Sequence, residues 1–321
     1  MSAGLEKQFR GAAARLLPWV LDAEVTDLLI NGLHSAYVQK KGRLECIEPP
    51  FSAQEELTDF VDRLVIPLGK RLDAARPYLD GRLADGSRFH LIYPPIAPTG
   101  PLISIRKHAG LGAIALESFG PAACWVARAF AQRKNILLCG GTGSGKTTLL
   151  NLLLETVPVQ ERVVVVEEAA EIRVAHPHTV FLEARQAGPE GVGEVPLSTL
   201  IKNALRMRPD RLVLGECRGA EAWDLIQALN TGHPGSACTL HANGAREGLR
   251  RLETLLLLSL PGASLDAVRE WVACAVQAVV FLEKRGPTPQ IAQILEVRGL
   301  ESQTYRIHPI ELPGLAKMAV L

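Results

Sequence analysis

The chain has cysteines but no cysteine framework. Six are scattered at Cys46, Cys124, Cys139, Cys217, Cys238 and Cys274, with no C-x-x-C pair. That spacing argues against a structural zinc site and a disulfide scaffold, and leaves most of the thiols as small apolar fillers held reduced. A charge bias is missing too. Lys and Arg number 35 against 34 Asp and Glu, for a net charge of +1. Such a balance gives no electrostatic reason to expect DNA or RNA as the main ligand. The longest apolar runs, 255–260 and 271–282, fall short of the roughly 18 residues a membrane helix needs. The first residues, Met1-Ser2-Ala3-Gly4-Leu5-Glu6-Lys7, lack a signal-peptide layout, so a cytoplasmic location is expected. No internal repeat or low-complexity tract stands out. What is present is an ordinary globular composition, 47% apolar and 21% charged, over 321 residues. That length is long for one core, and two domains are expected.

The organising stretch is Gly140-Gly141-Thr142-Gly143-Ser144-Gly145-Lys146-Thr147-Thr148. It fits the phosphate-loop pattern G-x-x-x-x-G-K-[ST] at every fixed position. Its context fits as well. Asn135–Cys139 is an apolar run that reads as a buried parallel strand, and Thr147–Glu155 is Leu-rich and reads as a helix. Glycines let successive backbone N–H groups point at a polyphosphate, and the helix N-terminus adds partial positive charge. Lys146 is placed to reach the β- and γ-phosphates, and the Thr147 hydroxyl to ligate Mg²⁺.

Upstream, Leu5 to Leu17 shows helical apolar spacing that Pro18 ends. Val25 to Glu48 reads as strands, with turns at Asn31-Gly32 and Lys40-Lys41-Gly42. Ser52 with Glu55 suggests a capping box for a helix burying Leu57, Phe60, Val61, Leu64, Val65 and Leu68. Tyr78 to Lys107 is hairpin-like around Asp85-Gly86. Residues 1–107 therefore read as a small α+β domain, and 108–118 as a linker. From Phe119 on, strands (around 135–139, 162–166, 179–183, 211–216 and 235–240) alternate with helices (121–132, 147–155, 197–207, 220–229, near 246–260 and 264–274), and Gln186 to Val195 reads as a loop. This implies an α/β fold with a mostly parallel, doubly wound sheet, ending in an antiparallel edge over 276–310.

In such a sheet, ligands sit outside the carboxyl ends of the strands. The strand ends here carry the phosphate loop, Glu167-Glu168, Glu216 and His241. Glu216 follows an apolar strand and suits a base or water-polarising group, although Gly215 stands where an Asp often does. One of Glu167, Glu168 and Glu171 is expected to support Mg²⁺ through water, with Glu168 taken beside Thr147 as the metal residue, and Glu167 and Glu168 join Glu216, Lys146 and His241 as catalytic candidates. His241 is suited to sensing the γ-phosphate by hydrogen bonding, and His233 is the weaker candidate. Arg88 and Arg106 end strand-like runs of the first domain. They are either phosphate clamps that couple hydrolysis to domain motion or ordinary surface charge. Arg206, Arg208 and Arg218 flank the Glu216 strand and suit arginine fingers or subunit-interface ion pairs.

Together these motifs resemble the type II/type IV secretion ATPase superfamily. Its four signatures correspond to Gly140–Thr148 (Walker A), Val166–Glu171 (the Asp box), Leu212–Glu216 with Arg218 (Walker B) and Thr231–Ala242 (the His box). Within it, Asn203–Arg211, Gly215–Gly219, Asn230–His233 and Asp85–Arg88 look most like the CpaF-like ATPases of Tad/Flp pilus assembly. Glu168 departs from the family's usual Asp, and Cys217 from a usual aliphatic residue. The long N-terminal extension common in CpaF-like proteins and the tetracysteine zinc insertion of many type II ATPases are not found. The resemblance implies a RecA-like P-loop domain over 119–321 behind a PAS-like α+β domain. It implies ATP and Mg²⁺, a homohexameric ring and inner-membrane platform proteins as partners, with nucleotide between the domains. It also implies that Arg88 and Arg106 contact phosphates. Conjugative DNA or protein transfer, and a nucleotide-gated scaffold with little hydrolysis, are the rival readings.

Overall fold

The computed structural model describes residues 3–107, 115–185, 187, 192–285 and 288–311. Its contacts divide the chain into two compact units, 3–107 and 115–311 of the described residues. Of the expected 108–118 linker, 108–114 lie outside the described residues, and Leu116–Phe119 is a 3₁₀ turn.

The first unit is a six-stranded antiparallel sheet with helices on one face. Helix α1 (Ala3–Gln8) gives way to a 3₁₀ stretch over Gly11–Leu16, then to α2 (Leu17–Leu21). The single helix expected over 5–17 is therefore corrected. Gly11 adopts φ +63°, which breaks the α-helical run, and Pro18 sits in the first turn of the next helix instead of ending the previous one. Strands β1 (Val25–Asn31), β2 (Ser35–Lys40) and β3 (Arg43–Ile47) form a meander. Helix α3 (Gln54–Val65) follows, then β4 (Tyr78–Arg82), β5 (Arg88–Ile92) and β6 (Leu102–Arg106). The order across the sheet is β3-β2-β1-β6-β5-β4.

The capping box at α3 takes a different form from the one expected. Ala53 is the N-cap, and Glu56, not Glu55, accepts the Ser52 backbone N–H at 2.8 Å. The apolar positions 57, 60, 61, 64 and 65 are buried as their spacing requires, while Leu68 is only partly so. Phe60 stacks between Phe9 and Phe51 at centroid distances of 5.3 and 5.4 Å. Alternate strand residues such as Leu28, Ile30, Val38, Leu91 and Ile103 complete this core.

The second unit is an eight-stranded sheet. Helix α4 (Ala122–Ala131) leads into β7 (Ile136–Gly140), the phosphate loop and α5 (Lys146–Glu155). Next come β8 (Val163–Glu167), β9 (Thr179–Glu183), α6 (Leu197–Ala204, extended by a 3₁₀ turn to Met207) and β10 (Arg211–Leu214). Helix α7 (Glu221–Asn230), β11 (Ala237–Leu240), α8 (Ala245–Ser259) and α9 (Leu265–Ala275) follow. Of the loop expected over 186–195, residues 186 and 188–191 lie outside the described residues, and Arg185 bridges Val195. Strands β12 (Ala278–Arg285), β13 (Thr288–Glu301) and β14 (Thr304–Pro309) close the chain.

Sheet order is β14-β13-β12-β7-β11-β10-β8-β9. Strands β7 to β11 pair in parallel, and β12 joins β7 in parallel while pairing antiparallel with β13. The antiparallel edge expected over 276–310 is thus the β12–β13–β14 part, fused to the parallel core through β12. Strand residues alternate between two cores, as the period of two requires. Ile136, Leu138, Val163 and Val165 face α4 and α5, whereas Leu137, Cys139, Val164 and Val166 face α6 to α9. Cys139, Cys217 and Cys238 are buried on the second face, and burial pushes the Cys139 thiol up to about 12, as suits an apolar filler. Because β7, β8, β10 and β11 are parallel, their carboxyl ends meet at one edge.

Candidate active site

The phosphate loop joins the end of β7 to the N-terminus of α5. Gly145, the N-cap, has φ +91°, and a Cβ there would lie 2.6 Å from Pro289 Cβ, so glycine is required twice over. Lys146 is buried. Its Nζ donates to the carbonyls of Gly140 and Gly141, both at 2.8 Å. Burial pulls its pKa below the usual lysine value, with the Glu216 carboxylate opposing. Ser144 Oγ is buried with no hydrogen-bond partner, and side chains at Gly141 or Gly143 would meet open space. A lysine on backbone carbonyls, an orphaned hydroxyl and an open loop fit a phosphate ligand. For Mg²⁺, Thr147 Oγ1 lies 3.5 Å from Glu171 Oε2. Among the described residues no three His, Cys, Asp or Glu side chains converge as a metal cage.

Three further strand ends contribute. Glu167, ending β8, is 4% exposed, and its Oε1 accepts the backbone N–H groups of Glu171 and Ile172, both at 2.9 Å. It thereby folds the segment that presents Glu168 and Glu171. Gly215, just past β10, is what makes room for it. A Cβ at 215 would stand 2.8 Å from Glu167 Cγ. The glycine that replaces the common Asp thus has a packing reason.

Glu216 is held on one oxygen and flanked on the other, which is buried without a hydrogen-bond partner. Arg218 Nη2 donates to its Oε2 at 2.6 Å, and His241 Nε2 lies 3.0 Å from its Oε1. The same guanidinium reaches Glu168 through Nη1 at 3.2 Å. Burial, then Lys146, lowers the pKa of His241 below the ordinary 6.5, with Glu216 opposing and Arg218 and Arg251 adding to the shift. The imidazole is therefore neutral at pH 7. Thr239 Oγ1 donates to the Gly215 carbonyl, tying the start of the Glu216 loop to β11.

Other candidates lie elsewhere. His233 precedes β11, a strand length of about 13 Å from His241, and its Nδ1 lies 3.0 Å from the Ala228 carbonyl at the end of α7. Arg206 and Arg208 precede β10, at the amino edge of the sheet, so Glu216 and these two arginines sit at opposite ends of one strand. Of the three arginines flanking that strand, Arg218 is the one beside Glu216. In the first unit, Arg88 pairs directly across from Arg106 and, on its other side, from Arg82, while Arg106 pairs with Asp27. Cross-strand partners share a face, so three arginines stand in one row where like charges would ordinarily be destabilising. Arg82 is not among the sequence candidates. Its signal is strand register, which no local motif carries.

A Gly-rich loop on a helix N-terminus, flanked by acidic strand ends of a parallel sheet, defines a phosphate-loop nucleotide-binding α/β protein. The family model described as type II/IV secretion system protein matches residues 12–280, and the chain belongs to that family. A Mycobacterium tuberculosis protein named for conjugal transfer is 38% identical over 94% of this chain and 89% of its own length. Conjugal transfer protein TrbB of Rhizobium radiobacter is 31% identical over 89% and 87%. Among solved structures, the pilus retraction motor PilT with bound ADP matches the fold with a TM-score of 0.62 at 18% identity, covering 86% of this chain and 81% of that one. Among the described residues no helix is long and apolar enough to cross a membrane.

Proposed function

We propose that this protein is an ATP-hydrolysing motor of a secretion or pilus machine. The observation that carries the reading is Glu216, a carboxylate within electrostatic reach of Lys146, with Arg218 on its Oε2 and His241 3.0 Å from its Oε1, a buried oxygen that has no hydrogen-bond partner of its own. In this reading the loop amides and Lys146 bind the β- and γ-phosphates. Glu216 orients and polarises the attacking water, and His241, neutral, hydrogen-bonds to the γ-phosphate. Thr147 and an Asp-box carboxylate hold Mg²⁺, which would neutralise the charge building on the phosphates. Glu171, which faces Thr147 Oγ1, is favoured over Glu168 for that carboxylate. Glu167 acts by positioning both. Arg88 and Arg106, with Arg82 in their row, clamp phosphates from an N-terminal domain (1–107) joined by 108–118 to the ATPase domain (119–321). The working form is a homohexamer at the cytoplasmic face of the inner membrane, driving platform proteins through cycles of domain opening and closing.

The phrases at 203–211 and 215–219 favour a CpaF-like role in Tad/Flp pilus assembly. The relatives named for conjugal transfer favour conjugative type IV secretion as the second reading. Stimulation of turnover by DNA would select the second. The central test is hydrolysis with Mg²⁺. Lys146→Ala should lose nucleotide binding or turnover, and Glu216→Gln should bind ATP but turn it over roughly a hundredfold more slowly or worse. Wild-type rates in both variants would overturn the motor, and ring formation with negligible turnover in the wild type would favour a scaffold.

A further inference from the structure

Arg218 stands two residues past Glu216, in the connection between β10 and α7. The backbone of that connection is pinned. Glu221 Oε1 accepts the N–H groups of Arg218 at 2.6 Å and of Gly219 at 2.8 Å. The backbone is fixed, yet the Arg218 side chain is 60% exposed, against 22% for the Glu216 side chain it covers. Its two terminal nitrogens engage carboxylates at the ends of two different strands, Glu216 of the β10 end and Glu168 of the β8 end. It also lies within electrostatic reach of Lys146 and His241.

We propose that Arg218 is a positioning residue that works as a γ-phosphate-dependent latch on Glu216. In the observed arrangement the guanidinium sits on Glu216 Oε2 and ties that carboxylate to Glu168, which keeps that oxygen from water. A γ-phosphate offers the same planar fork a more highly charged partner at close range. Arg218 moves to it, and Glu216 Oε2 turns to water. A diphosphate lacks that partner and leaves the latch shut. No bond-making step is added: water still attacks the γ-phosphorus and ADP still leaves. What the latch supplies is the order of events, with the base released only when there is something to hydrolyse. Exposure is essential to this role, because a buried pair would not exchange partners.

The proposal rests on Glu216 acting on the water, and the experiment separates the two claims. Equilibrium binding of ADP and of the β,γ-imido analogue of ATP, with Mg²⁺, is measured on wild type, Arg218→Gln and Arg218→Lys, alongside single-turnover hydrolysis of ATP. The expected result is selective. Arg218→Gln weakens the triphosphate analogue about tenfold and leaves ADP within about twofold. Arg218→Lys recovers part of the triphosphate affinity, since an ammonium can follow the phosphate but cannot fork between two carboxylates. A merely structural arginine would change both affinities alike, or neither, and either outcome overturns the latch. Glu216→Gln is run in parallel. If it hydrolyses ATP normally, the role of Glu216 fails and the latch falls with it. If it is inactive while Arg218→Gln shows no selectivity, the latch alone is overturned.

Discussion

Strand β10 has an arginine–glutamate cluster at each end, and the two are built oppositely. At its amino end, Arg211 is fully buried. It donates to Glu161 at 2.6 Å and to the carbonyls of Phe130 at 2.7 Å and Gly235 at 3.1 Å, and lies 4.6 Å over the Phe130 ring. Arg133 reaches the same glutamate at 3.0 Å. At its carboxyl end, Arg218 meets Glu216 and Glu168 in the open. In the first cluster Arg211 is fixed by one carboxylate and two carbonyls with its side chain out of water. The second has partners it can exchange. The same two side-chain chemistries give a joint at one end and a switch at the other, and burial decides which.

Arg211→Ala should sharpen this contrast most. It leaves Glu161 without its main partner inside the fold, and a loss of about 3–5 kcal/mol is expected in chemical denaturation. A loss below about 1 kcal/mol would erase the distinction between the ends. Next comes acid sensitivity. Burial would raise the Glu161 pKa, but hydrogen bonds from Arg211 and Arg133 outweigh it and hold the carboxyl below its usual 4.5. A depressed folded-state pKa gives stability that is present above 4.5 and lost as pH falls through the lower folded value. Melting curves of wild type should therefore fall more steeply below pH 4.5 than those of Glu161→Gln. If the two curves run parallel, the amino-end cluster is not the acid-labile joint.

A third comparison uses the histidines bracketing β11. His233→Ala should cost about 1 kcal/mol with turnover intact, because its ring serves a helix end. His241→Ala should do the reverse, with slowed turnover and little change in melting. The smallest effect belongs to Arg218→Gln, whose exposed ion pairs should change stability by less than about 1 kcal/mol. A destabilisation matching Arg211→Ala would make it a second joint.

Much of this was legible in the sequence because it is written locally. The phosphate loop is nine consecutive residues, and β-branched or Leu-rich runs ending in Glu167, Glu216 and His241 mark the strand ends. What was not legible depends on distant partners. Glu167 reads as one more acid of a cluster, yet two backbone N–H groups and the neighbouring Gly215 set its place. Arg206 and Arg208 read as flanking Glu216, but a parallel strand separates its two ends by its whole length. The break at Gly11 was hidden because apolar spacing continues through a 3₁₀ stretch. Cross-strand register aligned Arg82 with Arg88 and Arg106, and no spacing along the chain encodes that.

Gly215 carries a consequence for how sequences of this kind vary. The carboxylate beside that position belongs to position 167, on the adjacent strand, and the two sites compete for one volume. They should therefore covary. Where a relative carries a side chain at the position of Gly215, the residue matching Glu167 should be small, and an acidic group should move from one strand to the other without leaving the site.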